Sequence, residues 1–310
     1  MIAHREQKYI IMSPSKRNRQ NLSPRVFFII FAVLIIIGLL IWWSADRDSS
    51  NPDHTVTTAS AATHDGSGNS GETAHSSSSQ NGITLEVTLP DGLPSQIMDY
   101  TGFSVSFNRD NHTPNYSSWE LTGNETDGAS TRTNKFLKDD RVAGCPTTRD
   151  YSNSGYDRGH MAPANDMKWS EKAMADCFYL TNICPQIHEL NNGAWKTLEQ
   201  KCQIWAKRDN SLYIIAGPIY TDNDTKRVGD IGVRVPSSFF KVIVAPEVDS
   251  PRGIAFVYPN MKSPGNMKDY SCTIDKVEEI TGYDFFPTLS PELERQIESV
   301  ADFKEWNKKQ

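Results

Sequence analysis

Along residues 83–87 (ITLEV) and 103–107 (FSVSF), polar and apolar positions alternate, which predicts two strands with one apolar face each. Trp119, Glu120 and Leu121 predict a third. The runs 212–216 (LYIIA), 238–245 (SFFKVIVA) and 253–258 (GIAFVY) are β-branched, aromatic or otherwise apolar almost throughout, which predicts buried strands. Gly217 and Pro218 close the first of them. Helical spacing is clearest in 191–208 (NNGAWKTLEQKCQIWAKR), where Trp195, Leu198, Cys202 and Trp205 make one stripe. Asn191 or Asn192 is suited to cap it. Residues 169–176 and 291–306 predict two more helices, the second with Ser290 as N-cap and Pro291 in its first turn. Strands with a few helices predict an α+β domain around a mainly antiparallel sheet.

The pattern before residue 83 is different. Residues 26–43 (VFFIIFAVLIIIGLLIWW) carry no charge and are long enough for a membrane-spanning helix. Lys16, Arg17, Arg19 and Arg25 precede the run, Asp46 and Asp48 follow it, and Trp42 and Trp43 suit an interfacial belt. The expected layout is a cytoplasmic segment 1–25, a transmembrane helix 26–43, a flexible linker 44–82 and a folded domain 83–310. That domain would lie outside the cytoplasm. A long cleaved signal is the competing reading. The linker is rich in Ser, Thr, Gly and Asn and holds too little apolar surface to offset its ordering entropy. Its His54, His64 and His75 read as spacers.

The five cysteines, Cys145, Cys177, Cys184, Cys202 and Cys272, all follow residue 83. An extracytoplasmic domain would be expected to form one or two disulfides and to leave at least one thiol unpaired. No pair has the CxxC spacing of a structural zinc site. The net charge of −6 is not that of a broadly basic nucleic-acid binder. Between Thr131 and Lys172, however, eight Lys/Arg face six Asp/Glu, so a polyanion would need a local groove.

Candidate chemistry concentrates in 154–166 (SGYDRGHMAPAND). His160 has an ordinary pKa near neutrality and suits a general base. Asp157 could orient its ring or offset its charge, and the planar fork of Arg158 matches a phosphate. No GxSxG elbow supplies a nucleophile, and Cys184 is a poor candidate. On the helix, Glu199 sits one turn after Trp195 at the border of the buried stripe; the alternative is a partly exposed glutamate paired with Lys196 or Gln203. A hard cation such as Mg2+ prefers oxygen ligands and keeps several waters. Asn191 and Glu199 are about 12 Å apart along a helix axis. One direct ligand with one outer partner is therefore the economical arrangement.

Two strings, YSNSGYDRGHMAPANDM and FYLTNICPQIHELNNGAWKTLE, resemble the DNA/RNA non-specific endonuclease family, the endonuclease G-like nucleases. Similar flanks, from YTGFSVSFNRDNHTPNYSSWELT to VEEITGYDFFP, extend the resemblance over residues 83–290. It implies a ββα-metal core and sequence-non-specific hydrolysis of DNA and RNA with Mg2+, Mn2+ being a substitute. It also implies His160 as the base, Asn191 as the protein ligand of the ion and Glu199 as the group holding the ion's water shell. Arg158 would contact phosphate, Arg132 would be a second phosphate-binding arginine, and Asn182 would lie near substrate. Cys184 replaces the usual Ser or Thr before Pro185, and Gln203 stands where a basic residue is common. A non-catalytic nucleic-acid-binding module, or a hydrolase of another extracytoplasmic phosphodiester, are the other readings. The sequence leaves oligomeric state open.

Overall fold

The long apolar runs read as continuous because both of their faces are covered. The computed structural model describes residues 82–308 except 222, 263 and 264. The expected segment 1–25, membrane span 26–43 and all of the linker but its last residue lie outside the described residues. Among the described residues no helix is long and apolar enough to cross a membrane.

In chain order the strands are β1 (Val87–Thr88), β2 (Gln96–Tyr100), β3 (Phe103–Asn108), β4 (Thr113–Thr122), β5 (Asp157–His160), β6 (Ile183–Gln186), β7 (Ser211–Ile219), β8 (Arg227–Val228), β9 (Val233–Arg234), β10 (Ser238–Ala245), β11 (Arg252–Pro259), β12 (Ser271–Cys272) and β13 (Asp284–Phe285). The α-helices are α1 (Thr148–Tyr151), α2 (Glu171–Asp176), α3 (Lys196–Asp209), α4 (Ile274–Thr281), α5 (Pro291–Glu298) and α6 (Phe303–Trp306). Seven strands form one antiparallel sheet in the order β12-β11-β10-β7-β4-β3-β2. The expected α+β architecture with a large antiparallel sheet is what forms.

Alternation along the central strands divides two cores. Leu212, Ile214, Ala216, Phe239 and Ile243 join the core that contains Leu198, Cys202 and Trp205 of α3. Tyr213, Ile215, Phe240, Val242 and Val244 join the other, with Ile274 and Val277 of α4 and Ile297 of α5. Each fully buried side chain of this size contributes roughly 1.5–3 kcal/mol, so neither face tolerates a polar replacement without a partner.

Several expected elements are re-drawn. The strand expected over 83–87 pairs only at Val87–Thr88, with β13, although Ile83 is fully buried. β4 is much longer than its apolar end suggested. Its polar half is buried because each side chain is satisfied: Thr113 bonds Tyr220, Asn115 donates to the Pro94 carbonyl, and Ser117 donates to Asn182. Ser290 and Pro291 do start α5. The expected 291–306 helix breaks after Glu298, and Asp302 caps the separate α6. All five cysteines are free, which overturns the disulfide expectation. Cys145, Cys177, Cys184 and Cys202 are spread through the interior as small apolar side chains.

Candidate active site

β5 and β6 pair antiparallel, with Gly159 opposite Cys184 and His160 opposite Ile183. The two glycines of the motif have separate reasons. Gly155 turns at φ 82, in the left-handed region that glycine enters freely. Gly159 lies under Gln186, whose Oε1 would be 2.3 Å from any added Cβ. A side chain there would force β5 and β6 apart.

Strand alternation sends Asp157 to the face opposite His160, so Asp157 does not orient the imidazole. Its carboxylate is instead bonded 2.9 Å from His188 Nδ1 and accepts from Asn191 Nδ2, also at 2.9 Å. Asn191 does not cap α3. It lies in a π-helical turn, Leu190–Trp195, that leads into α3, and Gly193 within it is non-helical at φ −112, ψ −108. A carboxylate only accepts, so the nitrogen end of the Asn191 amide faces Asp157. Its oxygen end is therefore turned away, free to meet a cation. The same contact fastens Asn191 to the strand that carries His160, three residues, or about 10 Å, along β5.

His160 is 7% exposed. Its ring stands edge-on to Phe178, centroids 4.9 Å apart, and tilted against Phe136 at 5.4 Å. Nε2 has no hydrogen-bond partner in the protein. Burial, then the charge of Arg132, push its pKa down to about 3, so the ring is neutral at pH 7. Both arginines rest on the same two phenylalanines. Arg132 lies 5.0 Å over Phe178, and Arg158 lies 5.1 Å over Phe136. Arg132 Nε donates to Asn134, and Arg158 Nη2 reaches the Thr148 carbonyl at 3.3 Å. Arg158 Nε is buried with no partner. The result is a neutral imidazole flanked by two cations, a setting for attack on a phosphodiester.

Glu199 pairs with neither Lys196 nor Gln203 in a hydrogen bond. Gln203 Nε2 donates instead to Asp166, which also accepts from Trp119 Nε1 at 3.1 Å. Burial pushes the Glu199 carboxyl up to about 7 and the Asp166 carboxyl up to about 6; Lys241 opposes both. Arg132 is the charge that His160 and Glu199 share. Lys241 is fully buried on β10, its Nζ 5.0 Å from the Trp119 ring centre and 4.6 Å from that of Trp195. Sequence reasoning missed it, although a lysine inside SFFKVIVA was the signal.

Asn182 has a different place from the one expected. It is fully buried, and its Oδ1 accepts from Ser117 Oγ and the Ala162 amide. Its Nδ2 donates to the carbonyls of Ala162 and Cys177. No polar atom is left for substrate; Asn182 holds the chain just beyond His160 in register. Cys184 is fully buried and its thiol is pushed well up by burial, so it is no nucleophile.

The profile of the DNA/RNA non-specific endonuclease family matches residues 80–292. The chain is 34% identical over 233 residues to the zebrafish (Danio rerio) protein "Nuclease EXOG, mitochondrial", covering 69% of this chain and 67% of that one. A protein named "Nuclease" from Nostoc sp. is 32% identical over 243 residues, or 71% of this chain and 83% of its own. A chain of the crystal structure of the EndoG/EndoGI complex superposes with a TM-score of 0.61 at 27% identity, over 66% of this chain and 91% of that chain. The chain belongs to the DNA/RNA non-specific endonuclease family, a family of nucleases.

Proposed function

We propose that this chain hydrolyses phosphodiester bonds of DNA and RNA without sequence preference, in a reaction that depends on Mg2+, with Mn2+ as a substitute. The observation that carries this reading is the Asp157–Asn191 bond, which presents an amide oxygen beside the strand of His160. The proposed donor set is all oxygen, Asn191 Oδ1 as the direct ligand and the Glu199 carboxylate to bind hydrating water, and that suits a hard cation. When bound, Mg2+ supplies positive charge where the leaving oxygen develops its own negative charge.

The chain's own residues do the rest. Arg158 and Arg132 hold the phosphoryl oxygens and offset charge as it grows in the transition state. His160 takes a proton from the attacking water. A base with a pKa of about 3 is weak in the free protein. Phosphate bound to Arg132 offsets the cation that helps to depress it, so substrate itself makes the imidazole more basic. Contacts to phosphate carry no direct sequence information, which fits cleavage at any base.

Residues 26–43 are proposed as a membrane anchor with the nuclease domain outside the cytoplasm, on the strength of their uncharged length and the basic residues before them. One experiment tests activity and placement together. The purified full chain should degrade plasmid and RNA with Mg2+ and stop with EDTA. Intact cells making it should degrade DNA added outside. Activity indifferent to EDTA would overturn the metal reading, and added DNA that is degraded only after the cells are broken would overturn the placement.

Glu199 gives a pH signature. Its folded pKa of about 7 lies above its ordinary value of 4.5, so the fold favours the neutral acid. That contribution to stability is full below pH 4.5 and lost as pH rises through 7. Glu199→Gln is therefore expected to raise Tm by a few degrees at pH 8 and to flatten Tm against pH in that window, while nuclease activity falls. At limiting Mg2+ the wild type should lose activity as pH drops through 7. A Tm at pH 8 unchanged in Glu199→Gln would contradict this account.

A further inference from the structure

We propose that Asp275, Glu278 and Glu298 form a second cation site, suited to a hard divalent ion of the calcium type, on the sheet face opposite the one covered by α3. One carboxylate oxygen from each lies within 4.8 Å of the others. Calcium–oxygen bonds of about 2.3–2.6 Å place ligands on opposite sides of the ion about 5 Å apart, so the three oxygens fit inside one coordination sphere.

The second observation is Glu298 itself. It is 3% exposed, and its Oε1 is buried with no hydrogen-bond partner. An orphaned buried carboxylate oxygen is costly unless a cation or a proton meets it. Glu298 ends α5, where the helix dipole also disfavours negative charge. Glu278, Glu294, Asp275 and Asp284 place further negative charge around it. No Lys, Arg or His forms an ion pair with any of the three among the described residues. The basic residue of α4, Lys276, is engaged by Glu279 at 2.7 Å.

The three carboxylates are held by their neighbours in the chain. Ile274, Val277 and Ile297, each next to one of them, are fully buried in the same core. Glu278 Oε1 accepts from the Phe285 amide at 2.8 Å, which fixes that side chain and leaves its second oxygen for the ion. Asp275 is exposed and gives the ion a way in. Two helices distant in sequence from His160 thus present three oxygens to one point, and an ion there would clamp α4 to α5.

The test is thermal unfolding of the full chain, stripped of divalent ions, against calcium chloride. Calcium at about 10 mM, above the range of weak extracellular sites, should raise Tm by about 3 °C. The rise should disappear in Glu298→Gln and shrink in the exposed variant Asp275→Asn, which carries little folding risk. It should persist in Asn191→Ala, which separates this site from the proposed catalytic ion, and Glu298→Gln should keep its Mg2+-dependent nuclease rate. No rise in the wild type, a rise that survives both carboxylate variants, or a rise lost in Asn191→Ala overturns the proposal.

Discussion

His160→Ala is expected to lower kcat/KM on plasmid DNA by about 10²–10⁴-fold, the range that a lost general base covers. The fold should survive. Nε2 makes no hydrogen bond within the protein, so no polar tie is broken when the ring is removed. The ring's packing against Phe136 and Phe178 is lost, which calls for a modest fall in Tm, not unfolding. Arg132 and Arg158 remain seated on the same two phenylalanines, so substrate should still bind with little change in KM. Added imidazole should restore part of the rate in His160→Ala by occupying the space and supplying a base. A variant folded like the wild type and within tenfold of its kcat/KM would remove His160 from the mechanism.

The sequence made the fold legible where physics is local. The runs that became β7, β10 and β11 were read as strands because strands covered on both faces must be apolar along their length, although β7 runs on through Gly217 and Pro218, which were expected to close it, to Ile219. The stripe of α3 was read because Trp195, Leu198, Cys202 and Trp205 recur at helical spacing. The polar half of β4 was not, since Thr113, Asn115 and Ser117 find their partners in Tyr220, Pro94 and Asn182, far away in the chain. The break after Glu298 was missed because Pro291 and Ser290 mark a start, while nothing as strong marks the end.

The site divides in the same way. His160, Arg158, Asn191 and Glu199 were singled out from motif and helical spacing. Their environment was not legible. Phe136 and Phe178 look like ordinary core residues, yet together they seat the imidazole and both arginines. Asp157 looked like a partner for the adjacent histidine, and strand alternation sends it to Asn191 instead. Asn182 looked like a substrate contact and is a saturated internal tie. In each case the neighbour in sequence was chosen and the neighbour in space was decisive.

Asn191 and Asp157 should therefore fail in different ways. Asn191→Ala removes the amide oxygen proposed to meet Mg2+, and activity should fall by two orders of magnitude or so, with no recovery as Mg2+ is raised. Asp157→Ala leaves that oxygen in the protein but frees the amide to turn, since its nitrogen end is no longer held at 2.9 Å. Loss of such a supporting contact typically costs about 10–100-fold in metal affinity. The Mg2+ concentration for half-maximal activity should rise by that factor, and most of the maximal rate should return when it is met. Asp157→Asn should fall between wild type and Asp157→Ala, because a carboxamide can either donate or accept and so no longer dictates which end of Asn191 faces it. His188 shares the same carboxylate but is mostly exposed, with 69% of its side-chain surface accessible. His188→Ala should therefore shift the Mg2+ requirement far less. An unchanged Mg2+ requirement in Asp157→Ala would mean that the amide's orientation has no part in binding the ion. Normal activity in Asn191→Ala would mean that the ion, if one acts, is held by other groups.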